Sequence, residues 1–490
     1  MRGLAGKLRQ LFGRGSDVGA IRRSGVFDDA FYRSQLPAGA DVTDAVSHYV
    51  EFGEAMGLSP WRDFDPFHYA RQYPDLAGYG RPLLLHYLRY GLREGRQGKP
   101  AQAERAGWPD DPDRPTVLVV VHDMSRTGAP VLGWNIVRRL GRSGRRVAVV
   151  ALGGGELAEH FRSEADEVVE AMPQEDLEAL AGTVVRRFRP RYALCNSAAT
   201  APFGQHLEGL GVRTIGLIHE FGSQARHVPG LAACLAEWAD VVFPAEIVRR
   251  SMVDHFPDVA LRQTVLMPQG KSMVPAKAGS RPNDTLPLSI RRTYDYLVVG
   301  AVTVDYRKGV DLFLSAASAA AAKAPELKIG FLWIGRRRTD DGVYLSFIEE
   351  QARRSGIADR FELMAATEFV ESAYRAADAF FLSSRLDPMP NVCIDAGSAG
   401  LPIVCFAGAS GMADMLAASD ACRELVVPHC NAEAAGAVIA GLARDRQRSR
   451  RLGICVQDLA RRSFDMERYV RTLDATGLAG GSLPSRAEPA

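Results

Sequence analysis

Two carboxylates stand eight positions apart in SSRLDPMPNVCIDAGSAGLPIVCF, residues 383–406: Asp387 and Asp395. AFFLSS reads as a strand and RLDPMP as a loop. A helix is expected to begin near Asn391, because prolines are poor helix-interior residues and Gly400 with Pro402 would stop it. Asp387 then lies at a strand's carboxyl end, while Asn391 and Asp395 share a helix face at i, i+4 spacing, all directed into one cleft. The helix N-terminus at Pro390, Asn391 and Val392 offers unpaired N–H groups and partial positive charge, which suit a phosphate. Carboxylates beside it would repel phosphate, so their natural partners are neutral hydroxyls, bound through charge-assisted hydrogen bonds. One acid for a transferred sugar and one for a ribose would account for the spacing. So would an ordinary loop aspartate before Pro388 and a helix-face aspartate favoured by the dipole.

A second cluster lies upstream in VVGAVTVDYRKGVDLFL. Arg307 and Lys308 precede Gly309 and a helix, so two cations and fresh helix N–H groups meet where a diphosphate would sit. A solvated turn is the plainer alternative.

These residues need a scaffold. TVLVVV, RVAVVAL, YALCN, TIGLIHE and DVVFPA are short runs too apolar to be half-exposed, and helical patterns such as PVLGWNIVRRLGRSG and AEHFRSEADEVVEAM separate several of them. A second series follows KAGSRPNDTLP: YDYLVVGAV, KIGFLWIG, RFELMA, AFFLSS, PIVCF and ELVVP. Strands buried on both faces alternating with helices imply parallel sheets. The expected α/β fold is two tandem Rossmann-like, doubly wound domains facing a cleft, over residues 116–278 and 279–476, with ligands at the strands' carboxyl ends.

Residues 27–99 hold an internal repeat in which Phe27 matches Phe64, Tyr32 matches Tyr69, His48 matches His86 and Gly53 matches Gly91. Each unit reads as two short helices with aromatic inner faces and a glycine stop, a helical interaction module in which the histidines pack and do not bind metal. Residues 1–26 form a basic N-terminal segment; within 1–15 Leu4, Leu8, Leu11 and Phe12 recur among Arg2, Lys7, Arg9 and Arg14, a pattern able to lie on an anionic membrane or to remain a solvated terminus. Residues 100–115 read as a linker, and Asp111 and Asp113, though a D-x-D, sit among prolines there. Residues 477–490 read as a disordered tail.

The chain has 490 residues, 47% hydrophobic and 24% charged, with 60 Lys and Arg against 58 Asp and Glu. A formal charge of +2 gives no global field pointing to nucleic acid. Seven cysteines without a C-x-x-C pair argue against zinc and against a disulfide framework, and fit a reducing compartment. No apolar run approaches a membrane span of ~20 residues, so the expected location is cytoplasmic, with peripheral contact at the inner membrane face through residues 1–15.

GAVTVDYRKGVDLF, AYRAADAFFLSSRLDPMPNVCIDAGSAGLPIVCF and GASGMADML together resemble the donor-binding domain of family 4 retaining glycosyltransferases, the glycogen synthase-like group with the GT-B fold. That group carries an E-x7-E motif before a G-x-P-V/I-V strand, and Asp387-x7-Asp395 has the same spacing. The aromatic repeat resembles modules attached to some bacterial polysaccharide-building transferases. The resemblance covers about residues 116–470. Two departures stand out: both acids are Asp, one methylene shorter than Glu, and Ala301 and Val302 follow Gly300 where many members place an arginine.

The resemblance implies transfer of a hexose-type sugar from a nucleotide diphosphate sugar to a glycan or lipid-linked acceptor, with retained anomeric configuration. It implies no metal and no cofactor beyond that co-substrate, and a role in bacterial cell-surface polysaccharide or glycoconjugate assembly. It places Gly128 in a loop near the donor phosphates and gives His219, at the end of TIGLIHE, contact with the reacting centre; Glu220 beside it is an orienting partner or a solvated residue. Arg307, Lys308, Pro390, Asn391, Val392 and Asp395 would bind donor, and Asp387 would hold the sugar. A catalytically silent binding scaffold is the alternative from another class. GGGELA, residues 153–158, fits a dinucleotide fingerprint, but it follows the second strand of its domain and lacks an acidic partner about 20 residues on.

Overall fold

The computed structural model describes residues 17–36, 42–61, 63–76, 78–99, 108–172, 175–261, 264–275, 293–301, 303–335, 342–365 and 370–479. The basic stretch 1–15, Val302, the expected domain boundary at 278 and residues 480–490 lie outside them. The chain divides into two compact units, Met1–Gly107 with Met172–Asp176, and Trp108–Ala171 with Leu177–Ala490.

In the smaller unit the repeat is visible atom by atom. Asp28 caps the helix Asp29–Ser34 and Asp65 caps Pro66–Gln72, each through its carboxylate. A second helix in each unit, Ala45–His48 or Leu83–His86, runs into a wider π-turn, Tyr49–Gly53 or Tyr87–Gly91. The Tyr32 hydroxyl meets His48 Nδ1 at 2.7 Å and the Tyr69 hydroxyl meets His86 Nδ1 at 3.0 Å. Gly53 and Gly91, expected to stop helices, have another reason to be glycine. A Cβ at either would lie 2.0 Å from the Tyr32 hydroxyl or 2.2 Å from the Tyr69 hydroxyl. The chain reverses instead at Gly57 and Gly95, whose φ angles are +77° and +70°. Residues 17–24, assigned from sequence to the basic segment, are helical and belong here: Ile21 is buried in this aromatic core and Asp17 pairs with Arg81.

The larger unit holds two parallel sheets. The first contains β1 (Thr116–Val121), β2 (Arg146–Ala151), β3 (Glu167–Glu170), β4 (Tyr192–Asn196), β5 (Arg213–Leu217), β6 (Asp240–Phe243) and β7 (Val265–Leu266) in the order β3-β2-β1-β4-β5-β6-β7. The second contains β8 (Tyr296–Ala301), β9 (Ile329–Gly335), β10 (Phe361–Ala365), β11 (Ala379–Leu382), β12 (Ile403–Phe406) and β13 (Val426–Val427) in the order β10-β9-β8-β11-β12-β13. Every residue of β1, β4, β8 and β11 is buried, which is why those strands read as unbroken aliphatic runs. Two doubly wound Rossmann-like domains are therefore present. In each, the winding reverses between two central neighbours, β1 and β4 or β8 and β11, which opens a crevice at their carboxyl ends.

Several boundaries differ from the sequence expectation. AEHFRSEADEVVEAM, read as helical, splits into the helix Ala158–Glu164 and edge strand β3, whose residues are all half-buried. Part of the expected linker packs on the first domain: the Trp108 ring lies 4.7 Å from Phe188 and under Arg146. Asp111 closes a turn by accepting from the N–H groups of Asp113 and Arg114. The last helix, Met466–Ala479, runs three residues into the expected tail and seals the first sheet, with Tyr469, Val470 and Leu473 buried among its core residues. Asp474 accepts from the Tyr192 hydroxyl at 2.8 Å and pairs with Arg145 at 2.9 Å.

Candidate active site

The crevice of the second sheet assembles Lys308 and Asp387. Asp305 caps the turn Tyr306–Lys308 after β8, and Gly309 closes it with a φ of +71°. A Cβ on Gly309 would lie 2.2 Å from the Ser383 carbonyl, so the turn lies against the end of β11 only because that side chain is missing. Lys308 Nζ thereby reaches Asp387 Oδ2 at 2.5 Å, with side chains 12% and 7% exposed. The Ser384 hydroxyl donates to the same oxygen at 3.2 Å, and Arg307 stands 3.7 Å from Oδ1. Arg307 also donates to the Leu386 carbonyl at 2.8 Å, which ties one of its amino groups to the loop, with the side chain as a whole 36% exposed.

Asn391–Ser398 forms the expected helix, with Pro390 at its N-cap and no side chain capping it. The Asn391 and Val392 N–H groups are thus helix-end donors without intrahelical partners. Asn391 Oδ1 accepts from Gln269 at 3.3 Å, Gln269 also donates to the Met389 carbonyl at 3.0 Å, and its Oε1 is buried without a partner. From the first domain Gly128 faces the same helix end: its absent Cβ would lie 3.6 Å from Asn391 Nδ2. Both domains therefore line this spot.

Asp395, expected to share the cleft, lies among different charges from Asp387. The charges that act on it are Lys271 and Glu371, and burial pushes its carboxyl up to about 7, Lys271 opposing and Glu371 adding to the shift. The Tyr374 hydroxyl, buried without a partner, feels the Asp395 charge. Cys393, between the two acids in sequence, feels both of them and Lys308.

His219 follows β5 at the crevice of the first sheet. Asn196, ending β4, donates through Nδ2 to the Ala129 carbonyl at 2.6 Å, so its Oδ1 faces His219 Nε2 at 3.0 Å. That network assigns the proton to Nε2 and leaves Nδ1 as the acceptor of the neutral ring. Burial first, and His122 after it, hold the imidazole below its usual pKa, with Glu220 opposing. Glu220 is not a solvated side chain. It accepts from the Ser197 hydroxyl at 2.5 Å and the Ala198 N–H at 3.0 Å, holding a turn in which Ser197 has φ +124°. Asn196 was missed from sequence, although a polar residue ending an apolar strand is a usable signal. Gln269 carries no such signal.

The glycines of GGGELA do not form a phosphate cradle. A Cβ on Gly155 would lie 2.2 Å from the Met124 carbonyl carbon and one on Gly153 3.3 Å from Asp123 Cβ, so they let this loop pack on the one after β1.

Residues 293–445, which contain Arg307, Lys308, Asp387 and Asp395, match the family model described as Glycosyl transferases group 1. This segment is therefore similar to group 1 glycosyl transferases. Over 101 residues the chain is 34% identical to mannosylfructose-phosphate synthase of Agrobacterium fabrum, a stretch amounting to 20% of this chain and 22% of that protein's length. Among solved structures, Anabaena HepE in complex with UDP and glucose superposes with a TM-score of 0.60 at 15% identity, covering 75% of this chain and 100% of that one. Sucrose-phosphate synthase from Thermosynechococcus elongatus gives 0.56 at 17% identity, covering 74% and 98%. These likenesses establish the GT-B fold. The matched segment holds Lys308 and Asp387 of the second crevice, and no described helix is long and apolar enough to cross a membrane.

Proposed function

We propose that the chain is a retaining glycosyltransferase that moves a sugar from a nucleotide diphosphate sugar to an acceptor hydroxyl. The observation that carries this reading is the Lys308–Asp387 pair at the carboxyl ends of β8 and β11, within the segment similar to group 1 glycosyl transferases. In the proposed reaction the bond from the anomeric carbon to the diphosphate breaks, and the electron pair leaves with the diphosphate. The acceptor oxygen bonds to the same face of that carbon, and its proton passes to the departing phosphate oxygen. Lys308, the exposed part of Arg307 and the Asn391–Ser398 helix terminus stabilise the growing negative charge, a preorganised electrostatic contribution that needs no metal.

Asp387 accepts hydroxyls of the transferred sugar and Asp395 those of the ribose. Neutral His219, with Nδ1 as acceptor, serves the reacting face, while Gly128 lets the backbone approach the phosphates. Pro390, Asn391 and Val392 shape the diphosphate end. No covalent nucleophile is assigned. The names of the neighbours make UDP-glucose the first donor to test. A glycan or lipid-linked acceptor, assembly of bacterial surface polysaccharide, and a cytoplasmic protein at the inner membrane face through residues 1–15 complete the reading.

The test is incubation with a panel of nucleotide sugars and with free and lipid-linked oligosaccharides, read by mass spectrometry. Glycosylated product and nucleotide release, both abolished in Asp387→Asn, are expected. Nucleotide binding without turnover by any acceptor would replace the enzyme with a silent scaffold.

A further inference from the structure

Arg385 lies between the β11 strand end and Asp387, and its side chain points away from Asp387 toward the β8 turn. Its Nη1 donates to the Tyr306 carbonyl at 2.6 Å, and its guanidinium lies 3.9 Å over the Tyr306 ring. Asp311, in the first turn of the following helix Val310–Lys323, grips it from the other side at 3.1 and 2.7 Å, and the Tyr344 hydroxyl donates to Asp311 at 3.1 Å. The backbone adds a further tie, Arg385 N–H to the Arg307 carbonyl at 2.9 Å. Arg307 returns the exchange, since its guanidinium donates to the Leu386 carbonyl. Two arginines on facing loops thus each bind the other loop's backbone, with Lys308 and Asp387 joined directly between those loops.

We propose that Arg385 is a positioning residue: its guanidinium, braced by Asp311 and Tyr344, locks the Tyr306–Lys308 turn to the Asp387 loop and so holds Lys308 preorganised for the donor diphosphate. This rests on the reading of the crevice as a nucleotide-sugar site. Only a planar, forked cation fills the place, because it must donate to a carbonyl, engage both oxygens of a carboxylate and stack on a ring at once. A flexible turn would have to be ordered when donor binds, and that entropic cost would weaken affinity. Without the guanidinium the turn keeps the Arg385 backbone tie, the Arg307–Leu386 bond and the Lys308–Asp387 pair, but its Tyr306 end loses both the carbonyl bond and the stack on a ring that is 66% exposed.

The experiment is titration calorimetry of UDP, ADP and GDP against the full chain and the variants Arg385→Met, Arg385→Lys and Tyr344→Phe. A wild type that binds none of the three ends the nucleotide-site reading itself. Given a nucleotide that binds, Arg385→Met is expected to weaken its affinity about tenfold, as loss of preorganisation does, with stoichiometry near that of the wild type. Arg385→Lys, which keeps charge without the fork, should recover less than half of that loss in free energy, and Tyr344→Phe should weaken affinity about two- to threefold. A purely structural role would instead lower the bound stoichiometry and leave the dissociation constant unchanged. That result, or wild-type affinity in both Arg385→Met and Tyr344→Phe, overturns the proposal.

Discussion

Replacing Lys308 and Asp387 singly and together separates a phosphate-binding lysine from a mere counter-ion. The pair is nearly closed to solvent and in direct contact, so each residue sets the other's behaviour. If Lys308 gives the donor diphosphate one charge-assisted hydrogen bond, about 1.5–3 kcal/mol, Lys308→Met should weaken UDP binding about 10- to 150-fold. Asp387→Asn has the opposite sign. It frees Lys308 and removes a carboxylate that repels the diphosphate, a repulsion of about 2 kcal/mol per unit charge at about 8 Å and an effective dielectric of about 20, less after salt screening. Its UDP affinity should rise at least about threefold while sugar transfer collapses. The double variant decides the matter: relieved of the carboxylate it should bind more tightly than Lys308→Met, yet well below Asp387→Asn, because the lysine's bond to the diphosphate is missing. Calorimetry with UDP supplies the affinities, and thermal melting checks folding, because Lys308→Met leaves Asp387 with only Ser384 at 3.2 Å and Arg307 at 3.7 Å. The reasoning is refuted if Lys308→Met binds UDP as the wild type does, or if the double variant binds UDP as tightly as Asp387→Asn.

Other outcomes follow from particular contacts. The Asp395 carboxyl is raised from 3.8 to about 7, so the folded protein retains a proton that the unfolded chain has lost. Wild-type stability should therefore fall as pH rises from 3.8 to about 7 and level off above, and the difference from Asp395→Asn, followed by thermal melting, should show that window. If Asp395 accepts ribose hydroxyls, UDP binding at pH 6.5 should release protons, seen as a heat that varies with the buffer's ionisation enthalpy and vanishes in Asp395→Asn. Gly133→Ala would put a Cβ 2.8 Å from Val121 and 2.9 Å from Asn196 Nδ2; about 1–3 kcal/mol of destabilisation and a lower transfer rate through a displaced His219 are expected by melting and rate assays. In the repeat, Gly53→Ala should unfold the small unit, as judged by limited proteolysis, and Tyr32→Phe should partly rescue it by removing the hydroxyl 2.0 Å away.

Much of this fold is written in the sequence itself. Strands buried on both faces, such as Val117–Val121 and Leu297–Ala301, declare themselves as aliphatic runs, and that alone implied two parallel sheets. β3 and β7 escaped notice because one is a half-buried edge strand and the other has two residues, so neither has a pattern to find. Lys308 and Asp387 could be nominated because each follows a strand at a crevice position, and the fold brings them into contact. The setting of Asp395 was not legible, since Lys271 and Glu371 reach it from distant segments. Arg385 was hidden for a similar reason: nothing in the sequence tells a surface arginine from one gripping a carbonyl 79 residues away.

The chain passes between the lobes twice, and the described start of the first passage, at Gly270 and Lys271, lies against the second at Phe464 and Met466. After β7 the Gly270 backbone packs so tightly on the start of the last helix that a Cβ there would lie 2.2 Å from Met466 Cα, and the Lys271 N–H donates to the Phe464 carbonyl at 2.8 Å. A single tether would let the lobes swivel about any direction. Two adjoining tethers behave like the paired leaves of a door, favouring one swing axis and resisting twist. Because Gly128 and Asn391 meet across the gap that this swing would widen or narrow, bulk added at Gly270 should act at a distance on how often the crevice shuts.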